Sequence, residues 1–279
     1  MTVLVVGDVM VDVVAVLPGE LARGSDTPAA IEHHYGGSGA NVAAWLGPRG
    51  LLAARIGDDP LGEAAVAGLS GAIERDPSRA TGTCVVLVHP GGERTMIPDP
   101  GANDAVELRD LPDADHAHFT GYGLLREGSR GAVRRALAEA RERGMTISVD
   151  PSSAAPLRAA PAFLEWVAGA SLLLPNADEA RVLTGEADPA RAALALAGGA
   201  REVVVTLGAG GALWTGGARL VRAPAEAVEV VDTTGAGDAF AAGLLAARAD
   251  GAEPQEALAA GCRLAARAVA RVGARPGYD

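Results

Sequence analysis

The chain has 279 residues, 49% of them hydrophobic and 21% charged, a composition with ample core for one large globular domain spanning residues 1–279. Its formal charge of −11 argues against a nucleic-acid or anionic-membrane surface, because phosphate groups demand basic patches. All 24 basic residues are arginine, which excludes a Walker phosphate loop, a protein-kinase strand lysine and Schiff-base chemistry, so any phosphate must be met by backbone N–H groups, helix dipoles, metal ions or arginine.

The opening "MTVLVVGDVMVDVVAV" lacks a basic leader, and Asp8 and Asp12 interrupt its apolar run. It reads as a first strand rather than a signal peptide, and the expected location is the cytoplasm. Residues 9–35 look extended with no helix between them. "GANVAAWL" has helical spacing, "LLAARIG" reads as a buried strand, and "PLGEAAVAGL" as the next helix. Residues 81–98 read as a hairpin with Pro90, Gly91 and Gly92 at the turn.

Strand signals then alternate with helix signals: "HAHFTG", "SRGAVRRALAEARERG", "MTISVD", "SLLLPN", "NADEARVLTG", "DPARAALALAG" and "REVVVTLG". A last helix runs from Pro254 to about Arg271. The alternation predicts an α/β three-layer sandwich around a mainly parallel sheet, with ligands beyond the carboxyl ends of its strands. The segments 9–35 and 81–98 form a small β-sheet beside it, a lid or a subunit contact. No stretch is long and uncharged enough to cross a membrane.

Residue types that often signal chemistry here read as core. Cys84 and Cys262 stand outside any metal or disulfide spacing and behave as small hydrophobes. His116 and His118 share one strand face without a third ligand at metal spacing. No GxGxxG turn opens a helix after the first strand, which argues against a dinucleotide dehydrogenase.

The stretch "VDTTGAGDAF" raises the chemical question. Gly235 and Gly237 let successive N–H groups face one concavity, and the apolar run behind them is a helix whose N-terminus adds positive charge there. Asp238 is either that helix's N-cap or a general base beside a bound anion. Asn176 and Glu179, three residues apart, are equally open: a capping box, or a pair facing a ligand.

At this point four segments together resemble the ribokinase-like (PfkB) family of carbohydrate and nucleoside kinases. They are "GGSGANVA" from Gly36, "LLPNADEARVLTG" from Leu172, "TLGAGGALW" from Thr206 and "DTTGAGDAF" from Asp232. The resemblance implies an ATP-dependent phosphotransferase acting on a hydroxyl of a small sugar. Asp238 would be its catalytic base, with Gly235, Ala236 and Gly237 as the backbone anion hole. Asp12, Gly37 and Asn41 would hold substrate hydroxyls, and Arg94 and Asn103 would border the substrate. Asn176, Thr206, Gly208 and Gly211 would line the nucleotide, with Glu179 facing Mg²⁺ through water. It also implies a monovalent cation such as K⁺, held by the Asp232 carboxylate and by the backbone carbonyls of Thr234, Ala268, Arg271 and Gly273. Separately, exposed edge strands in the lid invite pairing with a second copy, so a homodimer through the lid is expected.

The chain departs from ribokinases proper at Met10, at Ser38 where those enzymes carry lysine, and at "FTGYGLL" where they carry a substrate-binding glutamate. Gly277 stands where some place a serine. The altered sugar contacts leave a nucleoside as an alternative substrate. The rival from another class is a catalytically idle sugar or nucleotide sensor.

Overall fold

The first strand, β1 (Val3–Val6), is buried along its whole length, and its alternation sets the architecture. Val3 and Val5 pack into one core, Leu4 and Val6 into another. Two cores, one per face, are what a parallel sheet covered by helices on both sides requires. The structure, a computed structural model, describes residues 1–90, 93–197, 202–217 and 219–277.

The remaining strands are β2 (Met10–Val16), β3 (Ala30–Gly36), β4 (Gly50–Gly57), β5 (Gly71–Asp76), β6 (Gly82–Val88), β7 (Arg94–Asp99), β8 (His116–Thr120), β9 (Thr146–Asp150), β10 (Leu172–Leu173), β11 (Glu202–Thr206), β12 (Ala212–Gly216) and β13 (Arg219–Ala223). Among the described residues, nine of them form one sheet in the order β13-β12-β11-β10-β9-β8-β1-β4-β5. It is parallel from β5 to β11, and β12 and β13 fold back as an antiparallel edge.

The helices are α1 (Ser38–Leu46), α2 (Pro60–Val66), α3 (Tyr122–Leu125), α4 (Glu127–Glu142), α5 (Ala154–Leu157), α6 (Phe163–Trp166), α7 (Ala177–Thr184), α8 (Pro189–Leu196), α9 (Ala236–Ala249) and α10 (Pro254–Val269). Residues of α1, α2, α9 and α10 fill one core, and those of α4 to α8 the other. Helix α4 buries Ala132, Val133, Ala136, Leu137 and Ala140, a stripe of period 3.6, and leaves Arg134 and Arg135 exposed. Asp59 and Asp188 cap α2 and α8 through the amides of Gly62 and Arg191, each followed by proline at the first helical position.

The other four strands make a separate sheet, β3-β2-β6-β7. Its register pairs Asp12 with His34 and with Cys84, and Cys84 with Pro98. One face, carrying Met10, Asp12, Cys84, Met96 and Pro98, roofs the main cleft. The other leaves Ile31, Tyr35, Val85 and Ile97 exposed.

The expected sandwich and flanking sheet are thus both present. Of the expected hairpin turn, Gly91 and Gly92 lie outside the described residues, as do Gly198 and Arg201 at the margins of a predicted helix and strand. Strands β5, β12 and β13 are additional. The last helix ends at Val269, two residues earlier than expected, because its final carbonyls turn to other partners: Val269 accepts from the amides of Val231 and Asp232. His116 and His118 are core residues on a ladder of hydroxyls, both meeting Ser148 Oγ, and burial lowers them to about 4 and about 3. Both cysteines are free and buried. No helix among the described residues is long and apolar enough to cross a membrane.

Asp76, at the end of β5, tests how the edge is held. Its Oδ1 accepts from Ser78 N, Ser78 Oγ and Arg79 N, and its Oδ2 pairs with Arg55. Arg55 keeps Glu74 and Glu107 as partners without Asp76, but the Ser78 and Arg79 donors lose their acceptor, so Asp76→Ala is expected to cost about 2 kcal/mol of unfolding free energy in urea titration.

Candidate active site

The cleft, about 740 Å³, opens between the carboxyl ends of the main-sheet strands and the flanking sheet. Two helix N-termini border it. Helix α1 starts from Gly37 and α9 from Gly235, both at positive φ, 87° and 74°. Glycine is required at each for a further reason. A Cβ on Gly37 would lie 2.6 Å from the Asp8 carbonyl, and one on Gly235 would lie 2.7 Å from Ala274.

Gly235 is therefore the N-cap of α9, and Asp238 is its third helical residue. That settles the capping question against Asp238. Its carboxylate faces α1 instead: Ser38 Oγ donates to Oδ1 at 2.5 Å and Asn41 Nδ2 to Oδ2 at 2.8 Å. Burial raises this carboxyl to about 7, against the opposing pull of the Ser38 and Asn41 hydrogen bonds, and Asp150 and Asp8 add to the rise. Gly237 opens onto empty space, so its backbone stays approachable.

Asn41 is a bridge. Its Oδ1 accepts from Arg275 Nε at 3.2 Å, while Arg275 also donates to the carbonyls of Gly36 and Ala65. The C-terminal turn thereby orients the amide that holds Asp238.

At the roofed end, Asp12 stands among Asp8, Tyr122 and Arg126. Burial pushes Asp12 up to about 6; His34 opposes the rise, and Asp8 adds to it. Arg126 lies 5.5 Å from the Tyr122 ring and 3.9 Å from the buried Asp8 carboxylate. At the opposite end, Asn176 and Glu179 form a complete capping box on α7 and also line the cleft, so the two readings of this pair coexist. Asp150 closes β9 beside them, raised by burial and by the Glu179 charge. Ser152, at a positive φ of 73°, ties this corner to the chain after β8 by accepting from Gly121 N.

Thr206 lines the cleft, whereas Gly208 and Gly211 do not. A Cβ on Gly211 would strike the Ala223 carbonyl, so this glycine serves the packing of β13. Asn103 is likewise beneath the cleft rather than in it. It accepts from Val9 N and donates to the carbonyls of Val9 and Pro100, locking the turn between β1 and β2.

Arg94 also departs from its expected place at the substrate. It crosses from β7 to Asp232 Oδ1, at 2.8 Å, and to Thr234 Oγ1. Asp232 and Thr234 belong to the set expected to hold a monovalent cation. Asp232 Oδ1 also accepts from Thr234 N, and Oδ2 from Gly273 N. Of the rest of that set, Ala268 is buried in the last turn of α10, and the Arg271 guanidinium lies 5.0 Å from the Trp45 ring. The one carboxylate of the set is thus already paired with a guanidinium, against which a free cation at Asp232 Oδ1 would have to sit.

The sequence reading passed over Asp8, Tyr122, Arg126, Asp150 and Arg275. It met Ser38 only as a departure. Asp150 carried a usable signal, an acid ending a strand that reads as parallel; Arg275 and Arg126 carried none.

The chain matches the family described as pfkB family carbohydrate kinase over residues 2–279. It belongs to that family. The kinase is 32% identical to a 2-dehydro-3-deoxygluconokinase of Thermoproteus tenax, over 92% of this chain and 85% of the relative. Its fold is similar to that of adenosine kinase from Sinorhizobium meliloti, with a TM-score of 0.87 at 26% identity, covering 99% of this chain and 95% of that one. It is also similar to Arabidopsis thaliana ribokinase complexed with ribose and ATP, with a TM-score of 0.82 at 22% identity, covering 98% and 94%. The expected ribokinase-like fold is therefore shown, and the idle-sensor alternative loses ground.

The raised carboxyls make the kinase's stability depend on pH. Asp12 and Asp238 keep protons in the folded chain that the unfolded chain releases near the ordinary aspartate value of about 3.9. Their contribution is fully present below that value and is lost as pH rises through about 6 and about 7. His116 and His118, buried neutral, favour folding as pH rises toward 6.5, so above that value scanning calorimetry of the ligand-free kinase is expected to show a melting temperature that falls into weakly alkaline pH. A rising melting temperature over that window would contradict the burial of these groups.

Proposed function

We propose that the kinase transfers the γ-phosphoryl group of ATP to a hydroxyl of a small sugar or sugar acid, with Asp238 as general base. The observation that carries this reading is the placement of Asp238: a carboxyl raised to about 7, held by Ser38 and Asn41 between two helix N-termini at the mouth of an open cleft. A base with that value can be ionised at neutral pH and still take a proton effectively.

The substrate lies under the flanking sheet, its hydroxyls donating to Asp12 and Asp8. Asp238 removes the proton of the attacking hydroxyl. Oxygen then attacks the γ-phosphorus in line as its bond to the bridging oxygen breaks and ADP leaves, while the N–H groups at Gly235, Ala236 and Gly237 receive the charge on the transferring group. Asn176, Thr206 and Ser152 border the space left for the nucleotide. Asp150 and Glu179 offer hard oxygen donors, the kind that suit a hydrated Mg²⁺ shared with phosphates. Bound there, Mg²⁺ would offset charge on the phosphate oxygens. The flanking sheet excludes water from the reacting end, which protects ATP from hydrolysis.

The exposed apolar residues Ile31, Tyr35, Val85 and Ile97 on the outer face of that sheet support a homodimer through it. The requirement for ATP supports a cytoplasmic location. The likeness to adenosine kinase, with the altered residues Met10 and Ser38 at the sugar end, favours a nucleoside as the second reading.

The test is ADP release with Mg-ATP across pentoses, hexoses, ketoses, keto-sugar acids and nucleosides, followed by identification of the phosphorylated product. One class should turn over, and Asp238→Asn should lower kcat by about 10³-fold while ATP binding persists. Equal turnover by the variant would remove Asp238 from the base role; a phosphorylated nucleoside would replace the sugar reading.

A further inference from the structure

We propose that the Arg94 guanidinium serves as a tethered cation beside the phosphate-binding loop, replacing a free monovalent ion, so that turnover does not depend on K⁺. The proposal rests on the reading of residues 235–237 as the anion hole, and it reverses the cation expectation drawn from the sequence.

Asp232 is 7% exposed, and a carboxylate at that depth needs a positive partner. Burial would raise it, yet the hydrogen bonds from Arg94, Thr234 and Gly273 hold it down at about 2, so it is charged at every working pH. Among the described residues, Arg94 is the only basic side chain in an ion pair with it. One nitrogen, Nη1, donates both to Asp232 Oδ1 and to Thr234 Oγ1. A second cation at these oxygens would sit against the first.

The position matters because Asp232 organises the loop. Its Oδ1 accepts from Thr234 N, and its Oδ2 accepts from Gly273 N at 3.1 Å, tying the segment before Gly235 to the C-terminal turn. Ala274, in that turn, packs against Gly235 and accepts from Trp45 Nε1 at 2.9 Å. The Arg94–Asp232 pair therefore stands three residues before the helix N-cap, Gly235. A fixed charge there strengthens the anion hole without the desolvation of an incoming ion. Arginine suits the task, since it keeps its charge and fits a carboxylate geometrically.

Arg94 begins β7, on the flanking-sheet face that also carries Asp12 and Met96. The charge at the phosphate loop is thus delivered by the same sheet that roofs the substrate.

The test compares wild type and Arg94→Ala in K⁺ and in an equal concentration of tetramethylammonium, with ²⁰⁵Tl NMR as a probe of monovalent-ion binding that needs no turnover. Wild-type rates should be the same in both salts, and Tl⁺ should show no site on the wild-type protein. Arg94→Ala should lose about 10²-fold in tetramethylammonium and recover in K⁺, and it should gain a Tl⁺ site that Asp232→Asn removes. Activation of the wild type by K⁺, or a wild-type Tl⁺ site lost in Asp232→Asn, would overturn the proposal. So would an Arg94→Ala variant that only raises the KM for the sugar and ignores the cation. If no compound in the panel turns over, the kinase reading of the site fails, while the Tl⁺ result still decides this one on the wild-type protein alone.

Discussion

The arrangement on which the rest depends is the approach of two helix N-termini, α1 and α9, to a single carboxylate. Ser38 and Asn41 of the first helix reach Asp238 of the second, some 200 residues away in sequence. Backbones must come close for this, and glycine makes room. A Cβ on Gly39 would stand 2.6 Å from Gly7 Cα, so α1 rests directly on the end of β1. A Cβ on Gly235 would enter Ala274, so α9 starts directly against the C-terminal turn. The sheet fixes the first approach, and the chain's last residues fix the second.

Around that point the cleft is built from negative charge. Asp8, Asp12, Asp150, Glu179 and Asp238 all line it, with Arg126 the one basic side chain among the lining residues. Burial and mutual repulsion raise Asp12, Asp150, Glu179 and Asp238. Such a set disfavours the empty folded state at neutral pH and leaves acceptors waiting for hydroxyl donors and cations. The stability given up there is offset elsewhere: two apolar cores cover both faces of the sheet, and Asp76 and Asp232 are held well down by their hydrogen bonds.

The parallel strands from β1 to β11 were legible because each is a short apolar run closed by a polar or glycine residue, and the helices because Asp59, Asp188 and Asn176 announce their starts. Strand β5 was hidden: "GAIERD" is an edge whose Glu74, Arg75 and Asp76 find partners across the sheet. Strands β12 and β13 were masked by the glycines between and around them. In the cleft, the motifs led to Asp238, Gly235 and Glu179, which stand at helix starts that their own short segments mark in the sequence. Asn103, Arg94 and Arg275 act across the fold. Asn103 locks a turn 94 residues away, and Arg275 orients Asn41 from 234 residues away. Spacing carries no trace of such contacts, and so the hydrogen bonds of Asn103 and Arg94 were not foreseen and Arg275 was not expected at all.

The central claim is that Asp238 is a buried base poised near neutrality. It is tested most directly by a ¹³C NMR titration of the aspartate carboxyl carbons, with the Asp238 resonance identified as the one missing from Asp238→Asn. A midpoint near the value of about 7 set by its burial is expected. A midpoint near the ordinary aspartate value of about 3.9 would mean that water reaches the carboxylate freely, and that the two helices do not hold a base between them.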